Sequence, residues 1–251
     1  MAEDRAEALF FELFSALPRQ GPGDAESTLR ALAFVPGVGP HTRVLDVGCG
    51  TGRQTLVLAE STPARFVAVD AHPPFVAELN RQARALGLAE RLEARVGDMR
   101  RLDFAPGSFD LVWSEGAIYV MGFEAGLRAW RPLLVSGGHV AVTEVCWFRP
   151  DPPAECAAFW AAEYPAIRDV AHRLEAIGAC GYETVAHFPL PPSSWWDDYY
   201  RPLEANLAGF RERHGGEADA QALADRVARE IDVWRRFSDR YGYEFFVVRA
   251  G

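Results

Sequence analysis

At 251 residues, 49% hydrophobic and 24% charged, the chain has the balance of a globular protein and not of a disordered one. Its formal net charge of −9 disfavours a non-specific grip on nucleic acid, which needs clustered positive charge. All 26 basic residues are arginine, so chemistry that needs a lysine at a fixed place is excluded, including a pyridoxal phosphate Schiff base and a Walker-type phosphate loop.

No apolar run approaches the roughly 18–20 residues that span a bilayer. The opening Met1-Ala2-Glu3-Asp4 is acidic where a signal or transit peptide is basic, so no membrane association and a cytoplasmic location are expected. The cysteines are Cys49, Cys146, Cys156 and Cys180. None forms a CxxC pair and no histidine stands at finger-like spacing beside them, so neither a zinc site nor a disulfide framework is expected.

In chain order, Leu9, Phe10, Leu13, Phe14 and Leu17 recur at helical spacing and predict an amphipathic helix. The run Pro18 to Gly23 breaks it. Asp24 is placed to cap a second helix over 26–35, which Pro36-Gly37 stops. Apolar strand-like runs then appear at 43–47, 65–69, 92–96, 109–113 and 139–145. Helical stretches at 53–60, 75–86 and 123–134 lie between most of them. Short apolar strands separated by helices predict an α/β fold with a doubly wound, parallel sheet. Helical patterns at 154–164 and 166–177 follow, then strands at 182–190 and 243–249. Between those two strands lies a mostly helical insert of about fifty residues, far longer than a hairpin needs, broken at His214-Gly215-Gly216. It reads as either a lid or a homodimer contact.

The most informative stretch is Val44-Leu45-Asp46-Val47-Gly48-Cys49-Gly50-Thr51-Gly52, an apolar strand running into three alternate glycines before a helix. Glycine lets the backbone turn tightly and lets a ligand approach where a Cβ would clash. Dinucleotide folds want Gly-x-Gly-x-x-Gly, but here Arg53 stands where that third glycine belongs. Asp46 would also sit poorly beside a pyrophosphate; it suits a cofactor carrying positive charge, such as S-adenosylmethionine. Asp70 ends the second strand, 18 residues after Gly52, where a carboxylate can accept from both ribose hydroxyls or cap the following helix. After the third strand, Asp98 can accept from an exocyclic amine and Met99 can lie against a purine. Ser114, Glu115 and Gly116 follow the fourth strand, where open α/β sheets bind ligands.

These residues resemble the class I S-adenosylmethionine-dependent methyltransferases, in the small-molecule branch that includes the ubiquinone and menaquinone C-methyltransferases. That likeness covers Thr42 to Val145. A tighter resemblance, to a bacterial subfamily of uncharacterised methyltransferases, runs nearly end to end. It is carried by Arg19-Gln20-Gly21-Pro22-Gly23, Gly52-Arg53-Gln54-Thr55, the run Trp113 to Tyr119, and Ala186-His187-Phe188. The resemblance implies a seven-stranded Rossmann-like sheet whose last strand is inserted antiparallel. It also implies S-adenosyl-L-methionine as cofactor, leaving as S-adenosyl-L-homocysteine. Asp46, Gly48, Gly50 and Gly52, with Cys49 and Gln54, would line the methionine and ribose; Asp70 and Ala71 would hold the ribose, and Asp98 with Met99 the adenine. Ser114, Glu115 and Gly116 would border the methyl group, and Gln20 would reach the cofactor from the N-terminal turn.

A single domain is expected, with residues 1–40 as a helical cap, 41–190 and 242–251 as sheet core, and 191–241 as the insert. Methyl transfer needs no universal catalytic residue, and a base matters only for a protonated nucleophile. Glu115, Glu144, His72 and His187 are candidate bases, and none is assigned. Tyr119, Trp147, Trp195, Trp196, Tyr199 and Tyr200 are candidates for the wall of a small-molecule acceptor pocket or, equally, for anchors of the insert. An NAD-dependent oxidoreductase, a cofactor-binding protein without turnover and an RNA methyltransferase are the competing readings. Arg53 weighs against the first and the acidic balance against the last.

Overall fold

The computed structural model describes residues 2–251, so Met1 of the acidic opening lies outside it. Helix α1 (Ala2–Phe14) turns Leu9, Leu13 and Phe14 inward. Helix α2 (Ala25–Leu32) starts where Asp24 accepts from the Ser27 amide at 2.7 Å, the cap expected from the sequence.

The chain then alternates: β1 (Arg43–Val47), α3 (Arg53–Ser61), β2 (Arg65–Asp70), α4 (Pro73–Ala85), β3 (Leu92–Val96) and β4 (Phe109–Ser114). A 3-10 turn (Ile118–Val120) precedes α5 (Phe123–Trp130), and a second one (Arg131–Leu133) leads into β5 (Leu134–Trp147). The helix expected to reach residue 134 thus stops at Trp130, because Pro132 brings no amide for a further turn. Next come α6 (Ala154–Glu163), β6 (Arg168–Asp169), α7 (Val170–Ala179) and β7 (Tyr182–Pro189). The single helix expected over 166–177 begins late because Asp169 caps it, accepting from the His172 amide at 2.8 Å. The insert forms α8 (Pro192–Trp195), a π-helical turn (Trp196–Tyr200), α9 (Arg201–Arg213) and α10 (Ala218–Phe237), before β8 (Tyr241–Ala250).

The sheet runs β3-β2-β1-β4-β5-β8-β7, with the two-residue β6 paired to the far end of β5. Strands β1 to β5 are parallel, and β8 lies antiparallel between β5 and β7. This is the expected doubly wound sheet with its last strand inserted. Strand order reverses between β1 and β4, the place where open α/β sheets bind ligands beyond the carboxyl ends of their strands.

One sheet face buries Val44, Leu111, Phe245 and Val247 under α2, α3 and α4; the other buries Leu45, Val112, Val140 and Phe246 under α5 and α7. A third apolar cluster joins α1 to the insert, with Leu9, Leu13, Phe14 and Leu17 among Leu203, Leu207, Phe210 and Val227. The two ends of the sequence therefore make one layer over the carboxyl ends of the strands.

Gly52 shows how tightly the turn after β1 is built. Its φ is +82°, and a Cβ there would run into the Leu79 side chain of α4. Gly52→Ala is expected to lower unfolding free energy by about 2 kcal/mol or more, from left-handed backbone and overpacking together. Denaturant melts check this; unchanged stability would mean that the turn relaxes without cost.

Candidate functional site

The site is built on the turn between β1 and α3. Gly48, Gly50 and Gly52 all have positive φ, so the backbone coils sharply just past the strand. The Gly48 and Cys49 amides donate to the Val69 carbonyl at 2.8 and 3.1 Å, which ties the turn to β2. The Gly50 amide donates to Asp70 at 2.8 Å, and the other oxygen of Asp70 accepts from the His72 amide at 2.9 Å. Asp70 thus ties the glycine turn to the residue before α4 and lines the cleft.

The third tie comes from the N-terminal segment. Gln20 Oε1 accepts from the Thr51 amide at 3.0 Å and from its hydroxyl at 2.9 Å. Gln20 is held in turn by its neighbours. Arg19 donates to Glu115 at 2.6 Å, while Thr28 and the Trp113 indole donate to the same carboxylate at 2.8 and 2.9 Å. Gly23 donates to the Ser194 carbonyl at 3.1 Å, and the Ser194 hydroxyl bonds to Asp24. One short segment therefore joins the glycine turn, the end of β4 and the start of the insert.

Around these residues lies a cleft of about 250 Å3. Of the residues expected to hold the cofactor, Gln20, Gly48, Cys49, Gly50, Gln54, Asp70, Ala71, Asp98, Met99, Glu115 and Gly116 line it. Asp46, Gly52 and Ser114 stand behind its wall. Ser114 is fully buried and donates to the Val47 carbonyl at 2.8 Å, and Gly52 makes room for Leu79. Phe10, Phe11, Arg19 and Arg53 line the cleft without having been singled out for it. Phe11 roofs it, its ring stacked on His72 at 3.5 Å between centroids. In the sequence these phenylalanines read only as an apolar helix face.

Asp46 is wholly buried. One oxygen accepts from Thr55 at 2.6 Å and Gln54 at 3.1 Å, and the other has no partner among the described residues. Burial pushes its carboxyl up to about 7, against those two hydrogen bonds; the nearby carboxylates Glu115 and Asp70 add to the rise. A buried acid with an unpartnered oxygen beneath the turn suits a positively charged ligand above it, and the turn itself is packed so closely that a Cβ at Gly48 would run into Ala117 and Met99.

A second cavity of about 310 Å3 adjoins the first and shares Phe10, Gln20, Gly21, Pro22, Gly116 and Tyr119 with it. Of the six aromatics expected around an acceptor, Tyr119, Trp195 and Tyr199 line it. Trp147, Trp196 and Tyr200 do not. Trp147 packs edge-on to Tyr241, Trp196 lies under Arg235, and Tyr200 is buried with its hydroxyl on Glu230 at 2.8 Å. The aromatic run opening the insert is therefore half wall and half anchor.

Among the candidate bases, Glu144 lines the second cavity, accepting from Tyr164 at 2.7 Å and Arg173 at 2.9 Å. Burial raises its carboxyl to about 7, opposed by the Arg173 charge and the Tyr164 hydroxyl. Glu115 is engaged by three donors, and His187 lies on β7 against Glu244, lining neither cavity.

A family model described as "Methyltransferase domain" matches residues 44–138. That stretch is similar to methyltransferase domains. It runs from β1 to the middle of β5 and so carries the glycine turn, Asp70, Asp98 and Glu115. A sterol 24-C-methyltransferase of Gibberella zeae is 27% identical over 194 residues, covering 70% of this chain and 49% of its own length. The malonyl-[acyl-carrier protein] O-methyltransferase of Herminiimonas arsenicoxydans is 40% identical over 86 residues, 34% of this chain and 30% of its own. The chain thus spans about half or less of the curated relatives it matches. A structure of a SAM-dependent methyltransferase from Geobacter sulfurreducens, in complex with S-adenosyl-L-homocysteine, superposes with a TM-score of 0.83. Its sequence is 20% identical, covering 97% of this chain and 98% of that one. The class I methyltransferase fold expected from the sequence is the fold of this chain. No helix among the described residues is long and apolar enough to cross a membrane.

Asp46 predicts a pH dependence. Its folded-state pKa lies near 7 against an ordinary 3.8, so the stability it gives is full below that ordinary value and is lost as pH rises toward 7. Asp46→Asn should therefore melt increasingly above the wild type as pH climbs from about 5 to 8, in the absence of any ligand. A melting difference that is flat or shrinks over that range would contradict it.

Proposed function

We propose that the chain is an S-adenosylmethionine-dependent methyltransferase acting on a small molecule, with donor in the first cleft and acceptor in the second cavity. The observation that carries this is one continuous hollow at the switch point of the sheet. Its inner half is walled by a glycine turn and acids, and its outer half by aromatic rings. The similarity to methyltransferase domains over 44–138 and the S-adenosyl-L-homocysteine in the Geobacter structure support it.

Bound there, S-adenosylmethionine supplies a methyl group on a sulfonium, which leaves readily as a neutral thioether. Asp70 holds the ribose hydroxyls. Asp98 and Met99 meet the adenine, and Val69 and Phe75 add apolar wall. Arg19, fixed on Glu115 and lining the cleft, offers its remaining N–H donors to a carboxylate. Asp46 sits below the turn with one oxygen free, where a cationic donor would favour its ionised form. Phe10, Gln20, Gly21 and Pro22, shared by both hollows, exclude water from the junction where the methyl group moves.

The whole chain acts as one unit: residues 1–40 as cap, 41–190 and 242–251 as sheet core, and 191–241 as lid. The lid reading is favoured over a homodimer contact because α1 and the insert already bury each other's apolar faces. Four free, buried cysteines suit a reducing compartment such as the cytoplasm.

The direct test is methyl transfer from labelled S-adenosylmethionine across small phenols, amines, thiols and quinone precursors, together with calorimetry of S-adenosylhomocysteine. Asp70→Ala removes a charged acceptor worth about 1.5–3 kcal/mol and should weaken cofactor binding about tenfold or more. Gln20→Ala should weaken it severalfold with little change in melting temperature. Folded wild-type protein that binds neither adenosyl ligand would refute the proposal.

A further inference from the structure

The second cavity has a charge pattern that discriminates among acceptors. Three carboxylates line it, those of Glu144, Glu163 and Glu230, against a single arginine, Arg226. Glu144 is 1% exposed, and both of its donors bond to the same oxygen, Oε1. The other oxygen accepts from no group among the described residues. Glu230 is held the same way, with Tyr200 donating to its Oε1 alone. The rest of the wall is mostly aromatic: Tyr119 stands edge-on to Tyr164 at 6.1 Å, and Trp195 leans on Tyr243 at 4.7 Å between centroids. At the junction with the first cleft stands Gly116, whose φ of +66° is a backbone conformation that favours glycine.

We propose that this cavity binds an amine that enters as a cation on a compact apolar body, with Glu144 and Glu230 as counter-charges and the rings as its cage. The inference rests on the first cleft being the donor site. A cation is attracted both by the faces of tyrosine and tryptophan rings and by carboxylates with unused lone pairs. A phosphate, carboxylate or phenolate would meet an excess of negative charge, which Arg226 and the Arg173 bonded to Glu144 offset only in part. An uncharged alkene would leave those carboxylates without a partner inside an apolar wall.

The chemistry points the same way. In transfer to an amine, the nitrogen lone pair forms an N–C bond as the C–S bond breaks. The bonding pair stays on sulfur, and the positive charge arrives on nitrogen. Carboxylates placed where that charge lands stabilise the developing ammonium. An amine that enters protonated first gives that proton to a carboxylate beside it, and Glu144, at the end of the cavity formed by β5, is placed to accept it.

The test uses the full chain saturated with S-adenosylhomocysteine at about pH 8, above the value near 7 to which burial raises Glu144. Calorimetry compares benzyltrimethylammonium, which cannot accept a methyl group, with its uncharged isostere neopentylbenzene and with the anion 3-phenylpropionate. The cation is expected to bind about tenfold or more tighter than the isostere, and the anion not measurably. Glu163→Gln and Glu230→Gln should each erase much of that preference while leaving the isostere within about twofold. Glu144→Gln should do so most strongly, and the two other variants keep the test decisive if loss of the buried Glu144–Arg173 ion pair prevents that one from folding. Glu183→Gln, on the exposed side of β7, should change nothing.

Equal or tighter binding of the isostere or the anion would overturn the inference, as would methyl transfer to phenols or alkenes in preference to amines. Failure of S-adenosylhomocysteine to bind at the outset would instead refute the donor-site reading on which it rests.

Discussion

Three left-handed glycines in five residues force the chain to coil at the end of β1, and that coil leaves amides which neither strand nor helix can satisfy. The amides of Gly50 and Thr51 are taken instead by side chains distant in sequence, Asp70 from β2 and Gln20 from the N-terminal segment. Much of the site follows from that debt of hydrogen bonds. Asp70 is drawn to the floor of the cleft. Gln20 brings Arg19 and Pro22 over its mouth, and Ser194 carries the connection on to the insert. Covering the crevice and completing the turn are the same act.

Buried acid is the second organising feature. Asp46, Glu115 and Glu144, with the half-buried Glu230 beside them, gather around the carboxyl ends of the central strands, and they are held in different ways. Glu115 has three donors and serves as an anchor. Asp46 keeps one oxygen without a partner, and Glu144 and Glu230 line the outer cavity. The outer cavity is thus electronegative, a setting that favours a cation there and disfavours an anionic acceptor, whereas in the inner cleft Asp70, Asp98 and Glu115 are balanced by Arg19, Arg53 and Arg100.

The sheet was legible because each strand is a short apolar run with a helix or turn after it, so periodicity alone located seven of its eight strands. β6 escaped because two residues have no period. The helix at 123–130 was read too long because its apolar spacing continues past Pro132, where backbone chemistry stops it. In the site, what could be read were residues next to the glycines or at strand ends, such as Asp70, Asp98 and Glu115, whose place in the fold follows from local sequence. Asp46 and Ser114 share that sequence neighbourhood but alternate inward, so their side chains stabilise the turn from behind. Glu163, Glu230 and Trp160 were not legible at all. They sit on helices whose orientation depends on how α1, α6 and α10 pack together, and nothing local distinguishes them from ordinary helix residues.

The coupling of the N-terminal segment to the glycine turn is the feature on which the closed site depends, and amide hydrogen exchange measures it directly. Exchange would be followed at residues 19–23 and 48–52 with and without S-adenosylhomocysteine. Both segments are expected to slow together when the ligand is added, because one carboxamide joins them. Protection at residues 48–52 with residues 19–23 unchanged would contradict that coupling and would leave the N-terminal segment as scaffold alone.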